Sequence, residues 1–352
     1  MANYRLIVGF IVLTTLGVLY DKYKVKETHA DEKRNDELIS QYILNQDDSD
    51  VRGSVKVKST KKNKKPYLWL HNKYNRNQRN GSSFRDRTTM DLNQSYLELC
   101  IESIVHHCGD SFNVCLITDD SFSRLLFDWN LELDDMPEPI KSHYRELAML
   151  KLIHQYGGMT VPTSTLMFKN IYPIYNRSLA EKDMFCGEYK NETVTADYER
   201  MLPSVKFMGG KRYSKPLERL VGELEVVLSQ DYTSEHAVVG KMTQLLMDCH
   251  IKGNLKVVTG DFIGTRDPEG KLITIEQLFS DKFLQLSEMA YSLYIPAEEI
   301  LTRSQYEWFA RLSERQIFES SNFISRILLM VKGDIVGTMK QSDDVFGGLR
   351  CH

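Results

Sequence analysis

Residues 142–170, SHYRELAMLKLIHQYGGMTVPTSTLMFKN, constrain the fold more than any other part of the chain. Leu147, Leu150, Ile153 and His154 fall at i, i+3, i+6 and i+7, close to one helical stripe. Gly157-Gly158 end that helix, because glycine accepts the left-handed conformation of a helix C-cap. Met159-Thr160-Val161 is then β-prone, Pro162 interrupts it, and a second short strand follows. A helix that stops at a glycine pair and feeds a short strand aims the strand's far end at a cleft. In α/β proteins that is where ligands bind.

The segments before this stretch supply the rest of a sheet. Tyr67-Leu68-Trp69-Leu70 suits a buried strand, and 93–107 reads as a helix with Leu97, Cys100, Ile101, Ile104 and Val105 on one face. FNVCLIT at 112–118 is a near-continuous apolar strand, as a parallel strand covered on both faces should be. A helix begins at about Ser121. This β-α-β-α order predicts a mostly parallel sheet with right-handed crossovers. Asp119-Asp120 follow the second strand; read as strand neighbours they point to opposite faces, so one at most reaches the cleft. Asp120 is equally suited to cap the next helix. Farther on, 184–187, 205–210, 255–258 and 291–295 read as strands. Residues 215–228, 235–250, 306–312 and 318–331 read as helices.

Ahead of the folded part, 6–20 (LIVGFIVLTTLGVLY) carries no charge and is followed by Asp21, Lys22, Lys24 and Lys26. As a helix it spans roughly 22 Å, against a hydrocarbon core of about 30 Å. No small-x-small cleavage site follows, so a retained single-pass signal-anchor is the expectation. Its orientation stays open. The lysines favour a cytoplasmic globular part, whereas sequons at Asn80, Asn93, Asn176 and Asn191 would be usable on a luminal side. Residues 21–65 are polar and basic, too poor in apolar surface to offset the entropy of ordering, and read as a disordered stalk. The expected organisation is a tail at 1–5, a membrane anchor at 6–20, a stalk at 21–65 and a globular domain at 66–352.

With 42% hydrophobic and 26% charged residues the remainder is globular, and a net charge of −3 argues against nucleic acid as a partner. Six scattered cysteines include no C-x-x-C pair, so neither a zinc site nor a redox motif is expected. No P-loop, G-x-S-x-G or G-x-G-x-x-G occurs, which removes NTPase, lipase and dehydrogenase readings.

Taken in order, these stretches resemble the D-x-D sugar-transferase family. It includes yeast-type initiating mannosyltransferases, capsular polysaccharide transferases and the large clostridial toxins. The family motif runs roughly S-D-x-x-R, a helix, then Y-G-G-I-Y-x-D-x-D. The corresponding residues here are Arg145, Glu146 and Met149, then Tyr156-Gly157-Gly158-Met159-Thr160-Val161-Pro162-Thr163-Ser164. Tyr67 to Leu70 resembles the opening strand, 115–120 the strand ending in Asp119, and KFMGGKRYSKP, with Gly209-Gly210, the acceptor-side segment. The chain is also similar to uncharacterised membrane-anchored proteins of large DNA viruses that carry the same LWLH, LNQ and YGGM stretches. The family resemblance implies a GT-A-like, Rossmann-like fold, a nucleotide-sugar donor and a glycan or protein acceptor. It implies nucleotide-sugar contacts from Tyr67, Trp69, Asp119, Arg145, Glu146, Tyr156, Gly157, Gly158, Thr163, Ser164, Gly209 and Gly210.

Where the family's two aspartates bind Mn²⁺ or Mg²⁺, this chain has Pro162 and Ser164, and the family arginine falls on Met149. No certain metal ligand remains. Glu146 and Asp119 are the candidate catalytic carboxylates, and Arg145, one turn before Met149, is the candidate replacement for the arginine. Arg76, Arg79, Arg85, Arg87 or Lys211-Arg212 are candidate cations for a metal-free diphosphate site. Two readings stay open: a membrane-anchored transferase, or an inactive member serving as a binding or structural (virion) surface protein. Glu146, Asp119 or Asp261 converging with Arg145 beside Thr163-Ser164 is the arrangement expected of the first. A cleft filled with apolar side chains is expected of the second.

Overall fold

The computed structural model describes residues 34–45, 65–73, 92, 94–190, 201–230 and 235–347. The chain divides into two compact units, Met1–Ile43 and Leu44–His352. In the first, residues 34–40 form a short helix, α1. The second already includes Leu44 and Asn45, which lie in the segment read as a stalk. The Leu44 amide donates to the Val114 carbonyl at 2.8 Å, and the Asn45 side-chain amide donates to the Gly109 and Phe112 carbonyls.

The second unit runs β1 (Tyr67–His71), α2 (Ser95–Cys108), β2 (Asn113–Ile117), α3 (Asp119–Leu125), α4 (Ile140–Tyr156), β3 (Gly158–Thr160) and β4 (Thr165–Met167). It continues through α5 (Tyr172–Glu181), β5 (Met184–Lys190), β6 (Met201–Gly210), α6 (Lys215–Leu228), α7 (Glu235–Ile251) and β7 (Leu255–Val258). The last part comprises α8 (Gly260–Ile263), α9 (Ile275–Leu278), β8 (Ser292–Tyr294), α10 (Ala297–Thr302), α11 (Glu314–Glu319) and α12 (Phe323–Gly347). A six-stranded sheet has the order β2-β1-β3-β6-β5-β7, and β4 pairs with β8 in a separate two-stranded ribbon. Pairing is parallel for β2-β1, β1-β3 and β5-β7, and antiparallel on both sides of β6. The fold is therefore mixed α/β, with helices flanking a mostly parallel sheet.

Strand β6 runs against its neighbours in the mostly parallel sheet for a reason of connection. Parallel neighbours need a crossover of a dozen or more residues, usually a helix, whereas an antiparallel partner can follow directly. Only 191–200 separate β5 from β6. Pro203 is tolerated because β6 pairs with β3 only at its far end, through Met208, Gly209 and Gly210.

Two clusters of buried side chains stand out among the described residues. One lies against the sheet, where Leu68, Leu70, Val114, Met159, Phe185 and Phe207 meet Ile104 of α2 and Ile174 and Leu179 of α5. The other joins the first half of α2 to β8 and the C-terminal helices through Leu97, Leu293, Phe309, Ile324 and Leu328. On the opposite sheet face, α4 packs on β3 and β6, and α7 on β6 and β7.

The glycine pair after α4 is required by the backbone. Gly158 has φ +97°, and a Cβ there would come within 2.2 Å of the Tyr67 carbonyl oxygen. The Gly157 carbonyl accepts the indole N–H of fully buried Trp69 at 3.1 Å. The pair thus seats the end of α4 directly on β1.

The stretch 6–20, on which a membrane anchor is expected, lies outside the described residues. Among the described residues no helix is long and apolar enough to cross a membrane. The longest, α12, carries Arg326, Lys332 and Asp334 and packs against α2. No described helix supports the expected single-pass membrane location, and the finding points against it.

Candidate functional site

A cleft of about 790 Å³ opens where the parallel strands end. Asn72 and Lys73 follow β1, Thr118 and Asp119 follow β2, and Lys190 ends β5. Because β6 runs the other way, its beginning, Leu202 to Lys206, reaches the same edge. The start of α4, one side of α7 and α10 complete the wall. A smaller cavity of about 110 Å³ adjoins it, sharing Lys73, Arg145, Glu146, Lys206 and Glu298 and reaching Pro162-Thr163-Ser164.

Asp119 is the centre of the site. Thr118 and Ser121 form a capping box that starts α3 at Asp119, and helix N-termini favour carboxylates. Arg145, one turn into α4, grips Asp119 through two nitrogens: Nε donates to Oδ1 at 2.9 Å and Nη2 to Oδ2 at 2.7 Å. Its Nη1 donates to Glu138 at 2.6 Å. His71, the last residue of β1, hydrogen-bonds Asp119 Oδ1 through Nε2 at 2.9 Å and stacks on Phe122. Burial opposes the charge on Asp119, but the hydrogen bonds and charges of His71 and Arg145 outweigh it and hold the carboxyl well below its usual range. Burial likewise opposes the Arg145 charge, and Asp119 and Glu138 more than restore it. Burial lowers the His71 pKa, helped by Arg145 and Lys73 and opposed by Asp119.

The second charged group lies across the opening. Lys73 donates to Glu298 Oε1 at 2.6 Å and Lys206 to Oε2 at 3.3 Å, so two lysines share one carboxylate. The charge of Lys206 first, then that of Lys73, holds Glu298 well below the ordinary carboxylate range against the opposing effect of burial. Glu146 faces both cavities with no partner among the described residues except His143, 3.8 Å away. His143 is buried, and neither ring nitrogen makes a hydrogen bond.

Of the residues singled out in the sequence, Asp119, Arg145 and Glu146 line the cleft, and Thr163 and Ser164 line the smaller cavity with Arg145 and Glu146. Tyr67, Trp69, Tyr156, Gly157, Gly158, Gly209 and Gly210 line neither: the three aromatic rings pack on one another, and the glycines lie in the helix stop and in β3 and β6. Asp119 and Asp120 both face the cleft, because they occupy the first turn of a helix rather than a strand, so strand alternation does not separate them. Asp261, on α8, lines neither cavity. Lys211 is taken by Asp183, Arg212 donates to the Gln155 carbonyl, and Arg76, Arg79, Arg85 and Arg87 lie outside the described residues. The cleft's cations are instead Lys73, Lys141, Arg145, Lys190 and Lys206.

A D-x-D metal does not fit the residues at the motif. Pro162 has no ligand atom on its side chain, its carbonyl accepts the Thr165 amide, and the Ser164 carbonyl accepts the Ile295 amide. Among the described residues no group of three His, Cys, Asp or Glu side chains is placed to hold a metal ion.

No family model matches the chain, and no curated protein matches it. Solved structures give distant likenesses. PaToxG glycosyltransferase is 12% identical, with 54% of this chain and 70% of that one covered and a TM-score of 0.30. The 4-diphosphocytidyl-2C-methyl-D-erythritol synthase of Anaerococcus prevotii is 12% identical, with 60% and 94% covered and a TM-score of 0.31. The galactosyltransferase LgtC in complex with donor and acceptor sugar analogues is 10% identical, with 57% and 76% covered and a TM-score of 0.29. At such TM-scores the chemistry has to be argued from the residues.

Proposed function

We propose that this is a glycosyltransferase-like protein that binds a nucleotide sugar in the cleft, without a D-x-D metal, and passes the sugar to a glycan or protein acceptor. The observation that carries this reading is the pair of lysines on one carboxylate. Lys73 and Lys206 bring two ammonium groups together at Glu298, at a point that lines both cavities. Two adjacent ammonium groups suit a diphosphate, whose charge a bound cation otherwise neutralises. The cleft volume lies within the roughly 300–1,000 Å³ of small-molecule sites. The Asp119–Arg145–Glu138 chain supports the cleft wall beside it, and Glu146 offers a carboxylate to sugar hydroxyls.

Calorimetry of the full chain with UDP- and GDP-sugars, with Mn²⁺ and with EDTA, tests the reading. Binding of at least one donor, equal in EDTA, is expected. Lys206→Ala should weaken it about tenfold, the equivalent of roughly 1.4 kcal/mol, while Lys211→Ala leaves it unchanged. No heat with any donor refutes the reading.

A second, non-catalytic reading draws on another observation. Each of the five cleft cations already sits within 3.4 Å of a carboxylate oxygen. Donor binding with no nucleoside diphosphate released over prolonged incubation, alone or with candidate acceptors, would favour it.

A further inference from the structure

His71 makes contacts that its strand does not require. It ends β1 with its side chain on the same face as Trp69, but where Trp69 is sealed in the core, His71 lines the smaller cavity. Its Nε2 lies 2.9 Å from Asp119 Oδ1. A carboxylate gripped by Arg145 is ionised and can only accept, so this bond places the imidazole proton on Nε2. In the neutral ring Nδ1 then holds a lone pair, and it makes no hydrogen bond among the described residues. The Phe122 ring stacked on the imidazole at 5.2 Å fixes its plane. A carboxylate, itself held by an arginine, orients an imidazole whose other nitrogen is unused beside a cavity. That is the arrangement of a general base and its positioning group.

We propose that His71 is the catalytic base of the transfer reaction, with Asp119 as its positioning residue. The inference rests on the transferase reading above. In the step it describes, a lone pair of the acceptor oxygen forms a bond to the anomeric carbon. The bond from that carbon to the diphosphate oxygen breaks, and its electron pair leaves with the nucleoside diphosphate. The acceptor's hydroxyl proton moves to Nδ1 of His71, and the imidazolium is stabilised by Asp119. An attack assisted by a base on the acceptor side inverts the anomeric configuration. The charged groups around the ring are Asp119 on α3, Arg145 on α4 and Lys73 beyond β1, with Glu146, Lys206 and Glu298 on the same cavity. Glu138 and Glu298 partly offset Arg145 and Lys73, and the imidazole is neutral, ready to accept a proton, at pH 7.

The test uses the full chain and water as acceptor, read as nucleoside diphosphate released from whichever UDP- or GDP-sugar binds in calorimetry. His71→Gln is expected to lower kcat roughly 100-fold or more with donor affinity within twofold of wild type. Wild-type kcat/KM should fall on the acid side with the slope of one proton, and that limb should vanish in the variant. Imidazole should restore part of the rate of His71→Gly, which a purely structural role would not allow. Independently of turnover, ¹⁵N–¹H correlation spectra of the histidine rings should show the Nε2–H tautomer for His71. Activity of His71→Gln within threefold of wild type, an unchanged acid limb or an Nδ1–H tautomer would each overturn the proposal while leaving donor binding intact. If wild type binds no donor, the transferase reading fails by itself, and the tautomer still decides whether the Asp119–His71 pair is built as described.

Discussion

Asp119→Asn is the perturbation that probes the centre of the site most directly. The carboxylate is 16% exposed and the Arg145 side chain 8% exposed, so the pair is largely shielded from water. The variant keeps one acceptor but turns an amide toward the guanidinium, leaving Arg145 with only Glu138, a half-exposed partner. Removing one member of a buried ion pair costs about 3–5 kcal/mol. Because an amide oxygen remains and Glu138 still neutralises part of the charge, about 3 kcal/mol is expected. Unfolding entropy of about 2.1 cal/mol/K per residue, over a unit the size of Leu44–His352, converts this to a fall in Tm of roughly 5 °C. Calorimetric melting and urea titration of wild type, Asp119→Asn, Arg145→Gln and the double variant form the cycle. Coupling of at least about 1 kcal/mol is expected. Asp120→Asn, one residue along but exposed, should change stability by less than about 0.5 kcal/mol. If Asp119→Asn costs no more than Asp120→Asn and the cycle is additive, the carboxylate does not anchor the site.

Three further outcomes are expected. The Asp119 carboxyl titrates below its ordinary value of about 3.9, so its contribution to stability is complete above that value and drains as pH falls toward the depressed native value; urea midpoints should decline gently from pH 7 to 5, as the unfolded chain protonates His71 more readily than the folded one, and drop steeply below pH 4, that last drop being smaller in Asp119→Asn. Gly158→Ala should abolish soluble expression or cost more than about 3 kcal/mol, since its Cβ meets the Tyr67 carbonyl, whereas Gly222→Ala, with nothing within 4 Å on α6, should stabilise by about 0.5–1 kcal/mol. Among the described cysteines, burial pushes Cys108 up to about 11 and Cys100, Cys115 and Cys186 higher still, so a thiol reagent at pH 8 should label half-buried Cys249 first and the other four only on unfolding.

The run from β1 to β3 is legible in the sequence because its signals are local. Apolar strands, a helical stripe and a glycine stop each fall within a few residues, and α6 and β7 are read to the residue. The direction of β6 is not legible, because VKFMGG has the same apolar pattern whichever way the strand runs. Asp119, Arg145 and Glu146, singled out in the sequence beside a strand end and ahead of the glycine scaffold, are brought to one cleft by the fold. His71 is missed because the apolar run stops at Leu70; extending its period of two by one residue puts His71 on the face of Trp69. Glu298 has no local signal at all. Its meaning comes from Lys73, 225 residues away, and from Lys206, which reads as one polar position in an apolar strand. The N-terminal apolar run shows the converse: a clear compositional signal whose implied location the described helices do not support.

The indole of Trp69 on the Gly157 carbonyl, and the carbonyl of Tyr67 against Gly158, give the glycine pair a purely architectural purpose. The most recognisable letters of this sequence therefore line neither cavity of the candidate site. The charged lining of the cleft comes instead from scattered positions, among them Lys73, Asp119, Arg145, Lys206 and Glu298, that no contiguous motif can spell.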